Sequence, residues 1–154
     1  MGINLKGHGV IKVMHSDGTV EEREFKNVVL AVGKAQVAGL IGDATYVPFT
    51  AMALGTGTAD ATTADTALGT ELTTGGFTRT AVTFSRVTTD DANDTAQMIG
   101  LWTSSSAATV AVTEVGVFNT LTIAGSVPLG RQTFAEVNIA NTDIVQITYK
   151  FDVD

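Results

Sequence analysis

The chain has 154 residues, a formal net charge of −7 and no cysteine; hydrophobic residues make up 44% of it and charged residues 16%. This balance excludes charge-driven disorder, a disulfide scaffold, thiolate metal sites and cysteine catalysis. It also argues against nucleic acid as a partner, because the nine Lys and Arg are scattered and phosphate neutralisation needs them clustered.

The length suits one domain over residues 1–154. No apolar run approaches the roughly 18 residues of a membrane-spanning helix, so no membrane partner is expected. Met1–Gly7 carries one Lys and no apolar core, and is not expected to be a signal peptide.

In chain order, His8–His15 reads as a strand, Ser16–Thr19 as a turn in which Gly18 takes positive φ, and Val20–Phe25 as the returning strand. Asn27 is placed to cap a helix over Val28–Ile41, with Gly42 stopping it in a left-handed conformation. Apolar and small residues cover most of that helix, so it is expected to be buried against a sheet or another subunit. Ala51–Thr56 reads as a small-residue strand approached by Tyr46–Phe49, and residues 57–70 as a Thr-rich loop with a helical turn near Asp65–Leu68. Further strands are expected at Phe77–Val87, Thr95–Thr103, Thr109–Asn119, Val127–Ile139 and Ile144–Val153. In the last, Val145, Ile147, Tyr149, Phe151 and Val153 alternate with Gln146, Thr148, Lys150 and Asp152, the pattern of a half-buried antiparallel strand. The fold class is therefore mainly β, an antiparallel β-sandwich or jelly-roll-like domain with one helix in its N-terminal half.

Candidate chemistry is sparse. The glycines of Leu54–Thr58 lack the Lys-Ser/Thr of a phosphate loop and read as a tight strand exit. His8 and His15, seven residues apart, point to opposite faces of a regular strand and read as two surface histidines rather than a metal pair. Asp90–Asp94 offers closely spaced oxygens to a cation, but lacks the Gly and the bidentate Glu of a calcium loop and reads as a solvated turn. The hydroxyls have no nucleophile elbow and no placed base, and nothing in the sequence joins Glu71 to Glu114 as a carboxylate pair. Trp102, Tyr46 and Tyr149 are too dispersed for a stacking platform. No enzyme activity, metal or cofactor is expected.

Two segments carry more information. One is Ala51–Thr58 followed by Asp65–Leu72; the other is Val112–Asn119 followed by Leu129–Ala135. With the N-terminal hairpin and the EFKNVV entry to the helix, they form an ordered set over residues 8–151: LGTGT…DTAL…E, then EVGVFN…R-x-x-F. This set resembles small structural proteins of tailed bacteriophages. The motif positions are Gly55, Thr56, Asp65, Leu68, Glu71, Glu114, Gly116, Phe118, Arg131 and Phe134. Read physically, Gly116 admits a close neighbour, Asp65 caps the turn that holds Leu68 over the barrel mouth, and Arg131 takes Glu114 as its carboxylate partner.

The resemblance implies a virion protein, foremost a homotrimeric capsid decoration (cement) protein on the outer head surface, with the phage major capsid protein as its partner. Its alternatives are a tail, baseplate or head–tail joining component. A receptor- or glycan-binding module on a fibre, using Trp102 and the Asp90–Asp94 turn, is the rival from another class. Trimerisation is expected because the apolar helix and the strand at Ala51–Gly55 call for more cover than one chain supplies.

Overall fold

The computed structural model describes residues 3–154. Met1 and Gly2, part of the segment weighed as a signal peptide, lie outside the described residues. Alternating residues build β1 (Leu5–Met14), and the Asp17-Gly18 turn returns it as β2 (Val20–Val29). Gly18 has φ +88°, which costs glycine nothing. There follow α1 (Ala31–Leu40), β3 (Ala51–Gly55), β4 (Thr80–Ala81), β5 (Thr83–Val87), β6 (Thr95–Thr103), β7 (Val110–Phe118), β8 (Pro128–Ile139) and β9 (Ile144–Val153).

Every strand pairing is antiparallel, in the order β4-β3-β7-β8-β2-β1-β9-β6-β5. Two stretches serve both halves of this sheet. β2 pairs with β1 as far as Asn27, then with β8 at Val28 and Val29. Residues 80–87 break at Val82, so that Thr80 and Ala81 pair with β3 while Thr83–Val87 pair with β6. The two ends of the strand order are thus joined by the chain itself, and the sheet curls into a nearly closed, sandwich-like body whose corners are strands that change partners. The fold is mainly β with one helix, as the sequence pattern implied.

Inward-facing Ile11, Val13, Met52, Leu54, Val115, Val117, Ile147, Tyr149 and Phe151 fill the interior. Each such side chain contributes about 1.5–3 kcal/mol by leaving water. β9 alternates as expected up to Phe151, where the order reverses: Asp152 is buried and Val153 exposed. The Asp152 carboxylate accepts the Thr95 hydroxyl at 2.9 Å, which offsets the cost of its burial.

The helix differs from its expected form. It starts at Ala31, because β-branched Val28 and Val29 continue β2 onto β8. Leu30 occupies the N-cap position and makes no side-chain bond. Asn27 is no cap: its side chain lies between Gly7 and Gly130 and accepts the Tyr149 hydroxyl. The C-cap is Ile41 in the right-handed region (φ −70°), and Gly42 is not among the positive-φ glycines. The Ile41 and Gly42 N–H groups instead bond the Ala38 and Gly39 carbonyls, which closes the last turn. Only Gly33 and Gln36 of α1 are buried, and Leu40 and Ile41 face solvent. All five residues of β3, by contrast, are covered by the chain itself. The strand expected from Phe77 starts at Thr80, with Phe77 anchored in the core before it.

Candidate functional site

Outside the main core, Glu114, Gly116 and Phe118 alternate with the inward Val115 and Val117 of β7, and Ala51, Ala53 and Gly55 with Met52 and Leu54 of β3. The segment between β3 and β4 folds back over this outer face. Small residues make the approach feasible: a Cβ on Gly116 would sit 2.9 Å from Leu68 Cδ2 and from Phe118 Cε2. Leu68 packs there with Ala51, Ala53 and Phe118 as a separate apolar cluster. It therefore lies on the flank of the sheet, not over a barrel mouth.

Glu114 is fully buried beneath this segment. Its Oε1 accepts the N–H of Gly57 at 2.9 Å and of Thr70 at 2.7 Å, and its Oε2 accepts the N–H of Gly69 at 2.9 Å and Arg131 Nε at 2.9 Å. Arg131 Nη1 donates to Asp65 Oδ2 at 2.7 Å and Nη2 to the Ala59 carbonyl at 3.0 Å. Asp65 also accepts the Thr62 N–H at 3.0 Å and hydroxyl at 2.9 Å, so it closes the turn before it, over residues 62–65, rather than capping the expected turn over Asp65–Leu68. Thr113 Oγ1 donates to the Gly57 carbonyl at 2.8 Å, and the Thr56 N–H to the Thr70 carbonyl at 2.9 Å. The strand exit at Gly55–Gly57 contributes one donor, the Gly57 N–H, to the carboxylate, and the Gly69 and Thr70 N–H groups and Arg131 supply the rest. A Cβ on Gly57 would come 2.5 Å from Glu114 Oε1.

A second ion pair extends the clasp. Arg79 Nε and Nη2 donate to the two carboxylate oxygens of Glu71 at 2.6 and 2.8 Å, the fork geometry that suits Arg to carboxylates. The same guanidinium lies 3.8 Å above the Phe118 ring centroid and donates to the Thr120 carbonyl at 3.0 Å. Glu71 bridges to Gly55. Nine of the ten motif residues therefore gather in this one region. Phe134 does not: it stacks on Phe25 at 5.7 Å, against the main core. Arg79 was not foreseen, although its position between Thr78 and Thr80, in a stretch read as strand, was a signal.

Burial by itself would push the Glu114 carboxyl up. The N–H groups of Thr70 and Gly69, the Arg131 guanidinium and the Gly57 N–H outweigh it and hold the carboxyl below its usual range. Asp65 follows the same balance, with burial opposed by Thr62 and Arg131. Burial likewise opposes the charge on Arg131, and Asp65 and Glu114 restore it, so its pKa is raised. A buried carboxylate with two donors on each oxygen holds backbone in place.

The other candidates stand apart from this clasp. His8 is exposed on β1. His15 is not a free surface group, because its Nδ1 lies 2.7 Å from Asp143 Oδ2 and its Nε2 3.5 Å from Glu21 Oε2. Asp143 is buried and also accepts the N–H groups of Ser16 and Ala140 at 2.9 and 2.8 Å. Their separation of 128 residues hid this pairing from the sequence. In the acidic turn, Asp94 accepts the N–H groups of Asp91, Thr89 and Asp90 at 2.6, 2.9 and 2.9 Å; these bonds, the Asp91 one foremost, lower its pKa to about 2. Asp90 meets Asp152 and Asp154 instead, with carboxylate oxygens within 4.8 Å of one another. Trp102 is buried, its Nε1 donating to the Thr78 carbonyl at 2.9 Å, and so is no exposed stacking surface. Tyr149 is fully buried as well, while Tyr46 is exposed.

No protein-family model, no curated protein and no solved structure matches the chain.

Proposed function

We propose that the chain is a structural protein of a tailed-phage virion, acting as a homotrimeric decoration protein that binds the major capsid protein on the outer head surface. The observation that supports this reading most is the clasp. The blocks that carry the resemblance fold into one closed network whose charged groups are spent on one another and on backbone, which suits architecture rather than turnover. The acidic balance of the chain fits a place outside the packaged DNA. In this role each copy buries surface across capsomer boundaries, and repeated contacts add stability to the shell without new chemistry.

Copy number tests the reading. A trimer at every junction of three capsomers gives two junctions per hexamer, hence a ratio of about one chain per coat chain by closed symmetry. Quantitative staining of purified virions against the major coat protein is expected to give that ratio. A count of about 3 to 12 copies per particle would overturn the decoration role and favour a tail or joining component. The fibre-borne glycan module loses its proposed platform with the burial of Trp102.

A further inference from the structure

The chain has nine Lys and Arg against 16 Asp and Glu. Arg79 and Arg131 are committed to the clasp, Arg23 pairs with Glu21, and Lys12 lies 3.9 Å from Glu22. Most of the remaining positive charge collects in one place. Where β2 leaves β1 to join β8, Lys6, His8, Lys26 and Lys34 line a cleft of about 550 Å³ that has no carboxylate in its walls. Lys26 and Lys150 are both direct cross-strand partners of His8, so the three side chains stand in one row across β2, β1 and β9. The two lysines thus stand two strand steps apart with no carboxylate directly between them. Among the described residues, Lys26, Lys34 and Lys150 have no ion-pair partner.

A complementary feature lies at the same end of the sheet, since Thr95 pairs with Asp152 and Asp152 with Lys6. There the loop between β5 and β6 carries exposed Asp90 and Asp91. It is held rigid by the three N–H bonds to Asp94, so presenting its charges costs little ordering entropy. Asp152 and Asp154 crowd Asp90, and only the Lys6–Asp154 pair, at 2.5 Å, sits between this acidic group and the basic cleft. Within one chain the acidic group therefore meets the cleft at its Lys6 edge, through Asp154, while Lys26 and Lys34 on the far side have no ion-pair partner among the described residues.

We propose that the cleft lined by Lys6, His8, Lys26 and Lys34 receives the Asp90–Asp91 loop of a second copy of this chain. A closed symmetric assembly repeats that contact once per chain, with the acidic loop of one copy answering the unpaired lysines of the next. This deepens the homo-oligomer part of the function proposed above and rests on it. It replaces the apolar helix and β3 with a charged contact as the source of self-association.

The test is sedimentation velocity on the full chain at about 0.02 M and about 0.5 M salt, on either side of the ~10 Å screening length. Four proteins are compared: wild type, Lys26→Glu with Lys34→Glu, Asp90→Lys with Asp91→Lys, and the four changes combined. Wild type is expected to associate at low salt and dissociate at high salt. Each charge-reversed pair is expected to weaken association at least about tenfold, and the combined variant to regain it. Thermal melting of each variant verifies folding, and recovery in the combined variant does so independently. A wild type that stays monomeric at low salt overturns both this contact and the homo-oligomer reading. An oligomer indifferent to both reversals overturns this contact alone. Loss in both pairs without recovery in the combined variant overturns the match between these two patches.

Discussion

Arg131 reaches Glu114 along a diagonal. Across the β7–β8 ladder Arg131 faces Gly116 and Glu114 faces Thr133, yet Arg131 Nε lies 2.9 Å from Glu114 Oε2. The Arg131 side chain thus extends to the outward position of β7 two residues from its cross-strand partner. There it meets a carboxylate already gripped by the backbone of residues 57, 69 and 70. Removing Arg131 leaves the buried Glu114 charge with backbone donors alone, and removing Glu114 leaves the Arg131 guanidinium with Asp65 and the Ala59 carbonyl.

Glu114→Ala and Arg131→Ala are each expected to lower unfolding stability by about 3–5 kcal/mol in urea titrations. The double variant is expected to cost less than the sum of the two, since either truncation alone already removes the Arg131–Glu114 pair. A single-variant cost below about 1 kcal/mol would refute the clasp as a stabilising element.

Leu68 pins the covering segment from the apolar side. Leu68→Ala is expected to cost about 2–3 kcal/mol. Amide exchange at Gly69 and Thr70 should accelerate while β9 keeps its protection. Uniform acceleration through the whole sheet would instead mean that the segment has no local opening of its own.

The His15–Asp143 contact makes stability depend on pH at both ends. The hydrogen bond to Asp143 raises the His15 pKa, so its contribution is complete below the unfolded value of about 6.5 and fades as pH rises through the folded value. Burial works against the charge on Asp143, but the Ala140 N–H, His15 and the Ser16 N–H lower its pKa overall. Its contribution is therefore complete above about 3.9 and is lost as pH falls through the folded value. Melting temperature measured against pH is expected to fall on both sides of this window. His15→Ala should flatten the alkaline side, and an unchanged profile would show that the pair does not couple to folding.

Chelation is expected to leave the melting temperature unchanged. The oxygens of Asp94 are occupied by backbone donors, Asp154 by Lys6 and one oxygen of Asp152 by Thr95. A fall of several degrees with EDTA would assign a cation to Asp90, Asp152 and Asp154.

The strands were legible where local pattern alone decides them. Thr95–Thr103 and Ile144–Val153 appear with the bounds the alternation implied, and Glu114 with Arg131 stood out as charges within apolar strands. The helix start was not legible, because Asn27 is claimed by residues distant in the sequence: Gly7, Gly130 and Tyr149. The same holds in part for Asp143, which closes the local Ala140–Asp143 turn but also anchors a histidine from the first hairpin. The break at Val82 has no local signature either; it arises because residues 80–87 must serve β3 and β6 in turn.

That break also bears on how densely the molecule tolerates being packed. Joining the two ends of the strand order shortens the row of unpaired N–H and C=O groups on which another chain could template, although β5 is paired on one side only. The junction is nevertheless short: Ala51 with Ala81 and Met52 with Thr80, followed by the Val82 N–H to the Thr50 carbonyl at 3.0 Å. Beside it runs an apolar groove between Leu40, Phe49, Val82 and Phe84. This seam is therefore a place where another chain could add to the sheet. A charge placed at Phe84, which is 57% exposed, would guard that seam without disturbing the interior.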